Sequence, residues 1–120
     1  MSGHRDLVVW QRAMKLVKNV YAQTAGFPRH ELYGLASQLR RAAVSVPSNL
    51  AEGASRNSRG EFRQFIGNAR GSLAEVETQL EIAKDLGYIE EDAATRLLLE
   101  VDEISRMLSG LRDWSDRKAS

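Results

Sequence analysis

Apolar residues recur every three or four positions along almost the whole chain, and the recurrence breaks only at a few short polar or glycine-containing stretches. Near the start, Leu7, Trp10, Met14, Val17 and Tyr21 are spaced 3, 4, 3, 4, and a second row, Val9, Ala13, Leu16 and Val20, runs beside it. Two such rows make a wide apolar face on one helix, predicted over about residues 6–25. Asp6 is placed to cap it or to sit in its first turn, and Gly26-Phe27-Pro28 ends it. A second row, Leu32, Leu35, Leu39, Ala42, Val46, Leu50 and Gly53, predicts a second helix, with Pro28 in its first turn. Pro47 lies inside this pattern. It lacks an N–H and crowds the carbonyl of Ala43, so the helix should kink or break there, with Ser45 and Ser48 beside it to satisfy freed backbone groups.

Gly53 to Ser58 reads as a turn, and Ser58 with Glu61 fits a capping box that starts a third helix. Its seam is Phe62, Ile66, Ala69, Leu73, Val76, Leu80 and Ala83, a sustained heptad rhythm. Gly87 is its expected stop. Glu90, Glu91 and Asp92 open the fourth helix, where the helix dipole favours acids, and its seam is Ala94, Leu97, Val101, Ile104, Leu108 and Leu111. No period-2 alternation is sustained anywhere. Four amphipathic helices with short links specify an all-α, antiparallel up-and-down four-helix bundle, one domain over residues 1–120, with a polar, frayed tail at about 115–120.

The apolar excess extends this picture. Helix one has two rows, and helix four adds Leu98, Met107 and Trp114 outside its seam. Surplus apolar surface marks an interface, so a homo-oligomer is expected. Gly67 and Gly71, four apart with Ala74 next, permit close approach of a neighbouring helix.

Composition narrows the chemistry. The chain has 120 residues, 17 basic and 16 acidic, a net charge of +1 and no cysteine. Disulfides, thiolate metal sites and cysteine nucleophiles are excluded. His4 and His30 are far apart and neither follows a glutamate by three residues, so di-iron and zinc sites are poorly served. No phosphate-binding glycine loop or nucleophile elbow occurs. Glu77 with Glu81, and Glu100 with Glu103, share helix faces but read as solvated surface, and His30 beside Glu31 reads as a surface histidine. The reading is a non-enzyme with no cofactor and no metal. No apolar stretch approaches a membrane span and the N-terminus MSGHRD carries no apolar secretory segment, so a cytoplasmic protein is expected.

The near-neutral total hides an asymmetry. Residues 1–70 carry 11 basic and four acidic residues, a net of +7; residues 71–120 carry six and twelve, a net of −6. Such a division suits either a polyanion-facing surface or helices and subunits meeting with opposite charge. Two polar constellations stand out. Arg41, Ser45, Ser48, Glu52 and Arg56, with Asn49 beside them, form a stripe next to the apolar seam of helix two, either a network tying the helix to its neighbours or a binding groove. Arg40, Arg41, Arg56, Arg59, Arg63 and Arg70 are the candidate nucleic-acid-binding set, because the planar guanidinium donates paired hydrogen bonds to phosphate. No aromatic is interleaved with them along the chain, so contact with the backbone rather than base stacking is expected.

The strings Leu7-Val8-Val9-Trp10-Gln11-Arg12-Ala13-Met14, Glu31-Leu32-Tyr33-Gly34-Leu35, Leu39-Arg40-Arg41-Ala42-Ala43-Val44-Ser45-Val46-Pro47-Ser48-Asn49-Leu50-Ala51-Glu52-Gly53 and Ala69-Arg70-Gly71-Ser72-Leu73-Ala74-Glu75-Val76-Glu77 carry a likeness over about residues 7–111. The chain resembles the bacterial four-helix-bundle family encoded by intervening sequences in 23S ribosomal RNA genes. The resemblance implies a bundle assembling into a homopentameric ring, with no known enzyme activity. It also implies kinship with the accessory bundle protein of diversity-generating retroelements, whose basic ring surface binds nucleic acid and a reverse transcriptase. The motif positions carried over are Arg41, Ser45, Pro47, Asn49 and Glu52. The expected function is a ring-forming bundle that binds RNA or DNA backbone; the alternative is a protein–protein scaffold.

Overall fold

The computed structural model describes residues 3–119. Met1 and Ser2, and Ser120 at the end of the expected frayed tail, lie outside the described residues. Four helices make up the molecule: α1 (Val8–Thr24), α2 (Leu35–Ala54), α3 (Arg59–Asp85) and α4 (Glu91–Ala119). Short 3₁₀ turns at His4–Asp6 and Arg29–Glu31 lead into α1 and α2. Each helix packs on the next, and α4 closes back on α1, giving an antiparallel bundle 48 Å long and 23 by 20 Å across.

The heptad seams become the core. Phe62, Ile66, Ala69, Leu73, Val76, Leu80 and Ala83 of α3 are all buried, and so are Ala94, Leu97, Val101, Ile104 and Leu108 of α4. On α2 the buried residues are Ala36, Leu39, Ala42, Ala43, Val46, Pro47, Leu50 and Gly53. On α1 the two rows separate. Val9, Ala13, Leu16 and Val20 point into the core, whereas Trp10, Met14 and Val17 are half-buried and Tyr21 is exposed. The row with the longer apolar run is therefore the flank.

Local signals explain the helix ends. Ser58 caps α3: its Oγ accepts from the Glu61 amide at 3.1 Å and donates to Glu61 Oε1 at 3.2 Å. Past α3, Gly87 has φ +78°, the Tyr88 amide reaches the Ala83 carbonyl, and the Gly87 amide reaches Lys84. This is a Schellman ending, which glycine makes without strain.

Several expectations are corrected. Asp6 does not cap α1; Leu7 stands at that position with no side-chain cap, and Asp6 lies in the preceding 3₁₀ turn. Pro28 precedes a separate 3₁₀ turn, and α2 starts only at Leu35. Leu32 consequently falls out of the seam and is 45% exposed. Of the kink or break expected at Pro47, the break does not occur: α2 runs through Pro47 to Ala54 as one helix. α4 continues to Ala119, with Ser115 buried, so residues 115–119 are helical. Gly67 and Gly71 make no close helix contact: a Cβ at either would meet nothing within 4 Å. The glycine that does permit close approach is Gly53, where a Cβ would lie 2.7 Å from Phe65 Cβ and 3.0 Å from Phe62 Cδ1.

Candidate functional site

The six candidate arginines occupy three places. Arg40 and Arg41 follow the first turn of α2. Arg56, Arg59 and Arg63 sit at the α2–α3 hairpin, and Arg70 lies half-buried beside Gly71, Ala74, Glu77 and Ser105 in a groove between α3 and α4. The hairpin group is occupied within the molecule. Arg56 lies 5.0 Å from the Phe65 ring centroid and 3.6 Å from Glu52. Arg59 lies over Trp114 at 4.7 Å, and Arg63 pairs with Asp116 at 2.9 Å. These contacts tie the hairpin to the end of α4.

At the other end of α2, Arg40 is held differently. Its Nε donates to Thr24 Oγ1 at 2.7 Å, and the Thr24 hydroxyl donates to the Val20 carbonyl at 2.8 Å. Its guanidinium carbon rests 4.7 Å from the Tyr21 ring centroid. Arg41, one residue on, is exposed, with no ion pair or hydrogen bond among the described residues. Folding brings aromatic rings to three of the arginines: Tyr21 to Arg40, Phe65 to Arg56 and Trp114 to Arg59.

The polar stripe divides in two. Ser45 and Asn49 turn toward α3, where Ser45 Oγ lies 2.8 Å from Ser72 Oγ, and Asn49 Nδ2 donates to Ser45 Oγ at 2.9 Å and to the Ser45 carbonyl at 2.8 Å. Asn49 thereby braces the turn next to the one where Pro47 withholds its N–H. Ser72, buried beside the seam residue Leu73, carries no signal of its own in the sequence, because its partner Ser45 lies 27 residues away on α2. Ser48, Glu52 and Arg56 are exposed, and only Glu52 and Arg56 pair. Ser48 instead edges an apolar groove of about 370 Å³ between α1 and α2, lined by Trp10, Met14, Val17, Val44, Pro47 and Ala51, with His4 against Trp10 at one end.

The acid pairs do not converge. Glu81 meets Lys84, Glu100 accepts two hydrogen bonds from Asn19, and Glu103 pairs with Arg12. Glu31 accepts from the Leu35 amide at 3.1 Å and from the Tyr88 hydroxyl at 3.0 Å. The Leu35 amide, and after it the Tyr88 hydroxyl, hold this carboxyl below its ordinary value, and the same contact with Glu31 pushes the Tyr88 hydroxyl up. His30 is exposed, edge-on to Tyr88 at 6.3 Å. Among the described residues, no group of three or more His, Asp or Glu side chains could hold a metal, and no helix is long and apolar enough to cross a membrane.

Fold and grooves together define an all-helical four-helix bundle with open surface grooves. The sequence profile described as 23S rRNA-intervening sequence protein matches residues 5–110, and the chain belongs to that family. Its fold is similar to the crystal structure of a protein with unknown function from the S23 ribosomal protein family of Bacteroides thetaiotaomicron VPI-5482. The two share a TM-score of 0.79 and 19% identity, covering 88% of this chain and 98% of that one. No curated protein matches the chain.

Proposed function

We propose that the protein works without covalent chemistry, as a self-associating bundle that binds the phosphate backbone of RNA or DNA. One observation carries this reading: folding turns the charge asymmetry of the chain into two unlike flanks. α1 and α2 hold five basic residues and a single acid, Glu52; α3 and α4 hold nine basic and twelve acidic residues. Lys15, Lys18 and Arg41 on the basic flank are exposed and have no ion pair among the described residues. Cations free of internal partners can displace the counterions of a polyanion.

Fluorescence anisotropy with a labelled RNA hairpin or DNA duplex tests the reading. If about three phosphates are neutralised, affinity should fall roughly fortyfold between about 50 and 200 mM salt. Charge reversal at Lys15, Lys18 and Arg41 together should abolish most of it. No binding at low salt, with an established binder as control, removes this reading.

A scaffold role is the second reading, favoured by the apolar groove at Trp10, Met14 and Pro47. Exposed large apolar side chains stand on both flanks: Val8, Tyr21, Leu32, Tyr33 and Val44 on the basic side, Ile82, Leu86 and Leu99 on the acidic side. The basic flank of one copy complements the acidic flank of another. Such a head-to-tail contact gives a ring when the rotation closes, and a pentamer is the ring size carried by the resemblance.

A further inference from the structure

We propose that the corner where α1 meets α2 binds single-stranded nucleic acid, stacking a base on Tyr33 and holding the neighbouring phosphates with Arg40 and Arg41. This rests on the backbone-binding reading and names its substrate class. The corner is a groove of about 560 Å³ whose lining includes Tyr21, Tyr33, Arg40 and Arg41 and the apolar side chains of Leu32 and Val44. Tyr33 is 92% exposed and has no hydrogen bond or ring contact among the described residues. It lies in the link between Glu31 and Leu35, so its ring stands at the edge of the bundle. A neighbouring hollow of about 260 Å³ shares Leu32 and Arg40 and adds Arg29, an exposed cation. None of the residues lining either hollow is an acid. Glu31, the carboxylate of this segment, is engaged by the Leu35 amide and the Tyr88 hydroxyl.

The parts differ in stiffness in the way such a site requires. Arg40 is fixed by Thr24 on one edge and by the Tyr21 ring below it, so its position is set before any ligand arrives. Arg41 keeps all its donors free for phosphate oxygens. A duplex presents its bases already stacked on one another and has no use for an exposed ring. A single strand offers bare base faces, for which an aromatic beside a basic groove is the matching surface. At the α2–α3 hairpin, by contrast, Arg56 and Arg63 are already paired with the carboxylates of Glu52 and Asp116, whereas Arg40 has no carboxylate partner among the described residues.

The test compares the full chain on a labelled oligo-dT or oligo-U of about 15 nucleotides, on duplex DNA and on heparin, all at low salt. The single strands should bind more tightly than the duplex. Tyr33→Ala should weaken single-strand binding about fivefold or more, and Tyr33→Phe should keep it, because stacking needs the ring and not the hydroxyl. Arg41→Gln should flatten the salt slope by about 0.7. Circular dichroism checks that each variant is folded. Preference for duplex, or a Tyr33→Ala protein that matches wild type on single strands while binding persists, overturns this inference and leaves the backbone reading standing. Failure of the wild type on all three probes overturns both. If single strands fail to bind and Tyr33→Ala instead dissociates an oligomer, the corner is a subunit contact and the inference falls.

Discussion

Gly53 shows how one residue sets the spacing of two helices. Its missing side chain leaves room for Phe62 and Phe65, which lie on the α3 side of the hairpin. Gly53→Ala places a methyl group 2.7 Å from Phe65 Cβ, an atom near the backbone that cannot swing aside. The bundle should lose about 1–3 kcal/mol, read from urea unfolding, with Arg56 drawn off the Phe65 ring. A variant as stable as wild type would mean that the hairpin relaxes freely. In sequence, Gly53 reads only as a seam position before a turn; its role depends on Phe65, twelve residues later and on another helix.

At the scale of elements, Glu31 joins the entry of α2 to the α3–α4 link through Tyr88. Its carboxyl is held below the ordinary 4.5, so it stabilises the fold as an anion. That contribution is full above about pH 4.5 and is lost as pH falls through the lower, folded value. Tyr88 is raised above its ordinary 10.0, so its share is full below that pH and is lost as pH rises through the folded value. Thermal melts of Glu31→Gln should therefore lie below wild type between about pH 5 and 9 and converge with it in stronger acid. Parallel curves at every pH would show that the tie contributes nothing. Ser58 and Gly87 were legible as helix boundaries because capping chemistry lies within three or four residues of the end it serves. The start of α2 was not, because the 3₁₀ turn at Arg29–Glu31 has no apolar signature of its own and is fixed by Tyr88, 57 residues away.

For the molecule as a whole, the separation of charge and apolar surface onto two flanks predicts association. Light scattering at micromolar concentration should give a mass well above the 13.4 kDa of one chain. Leu99→Glu, placed at a 64% exposed position on the acidic flank, should shift the population to monomer without lowering the stability of the bundle. A monomer at all concentrations would remove the self-association reading. Arg41 and Tyr33, at the corner of the basic flank, would then remain as a surface for nucleic acid alone.

Four helices, their seams and the identity of most core residues follow from the sequence, because a period of about 3.6 residues is a local property that each helix carries by itself. The seams of α3 and α4, read as heptads, are buried almost without exception. What the sequence left open was which of two rows on α1 faces inward, which arginines are free, and which aromatics they meet. Those outcomes depend on the rotation of each helix about its own axis and on long side chains reaching across from neighbours. Arg40 to Thr24 spans 16 positions, and Arg63 to Asp116 spans 53. Only tertiary packing brings such residues together, and it is packing that leaves Arg41 and Tyr33 facing water while Arg40, Arg56, Arg59 and Arg63 find partners.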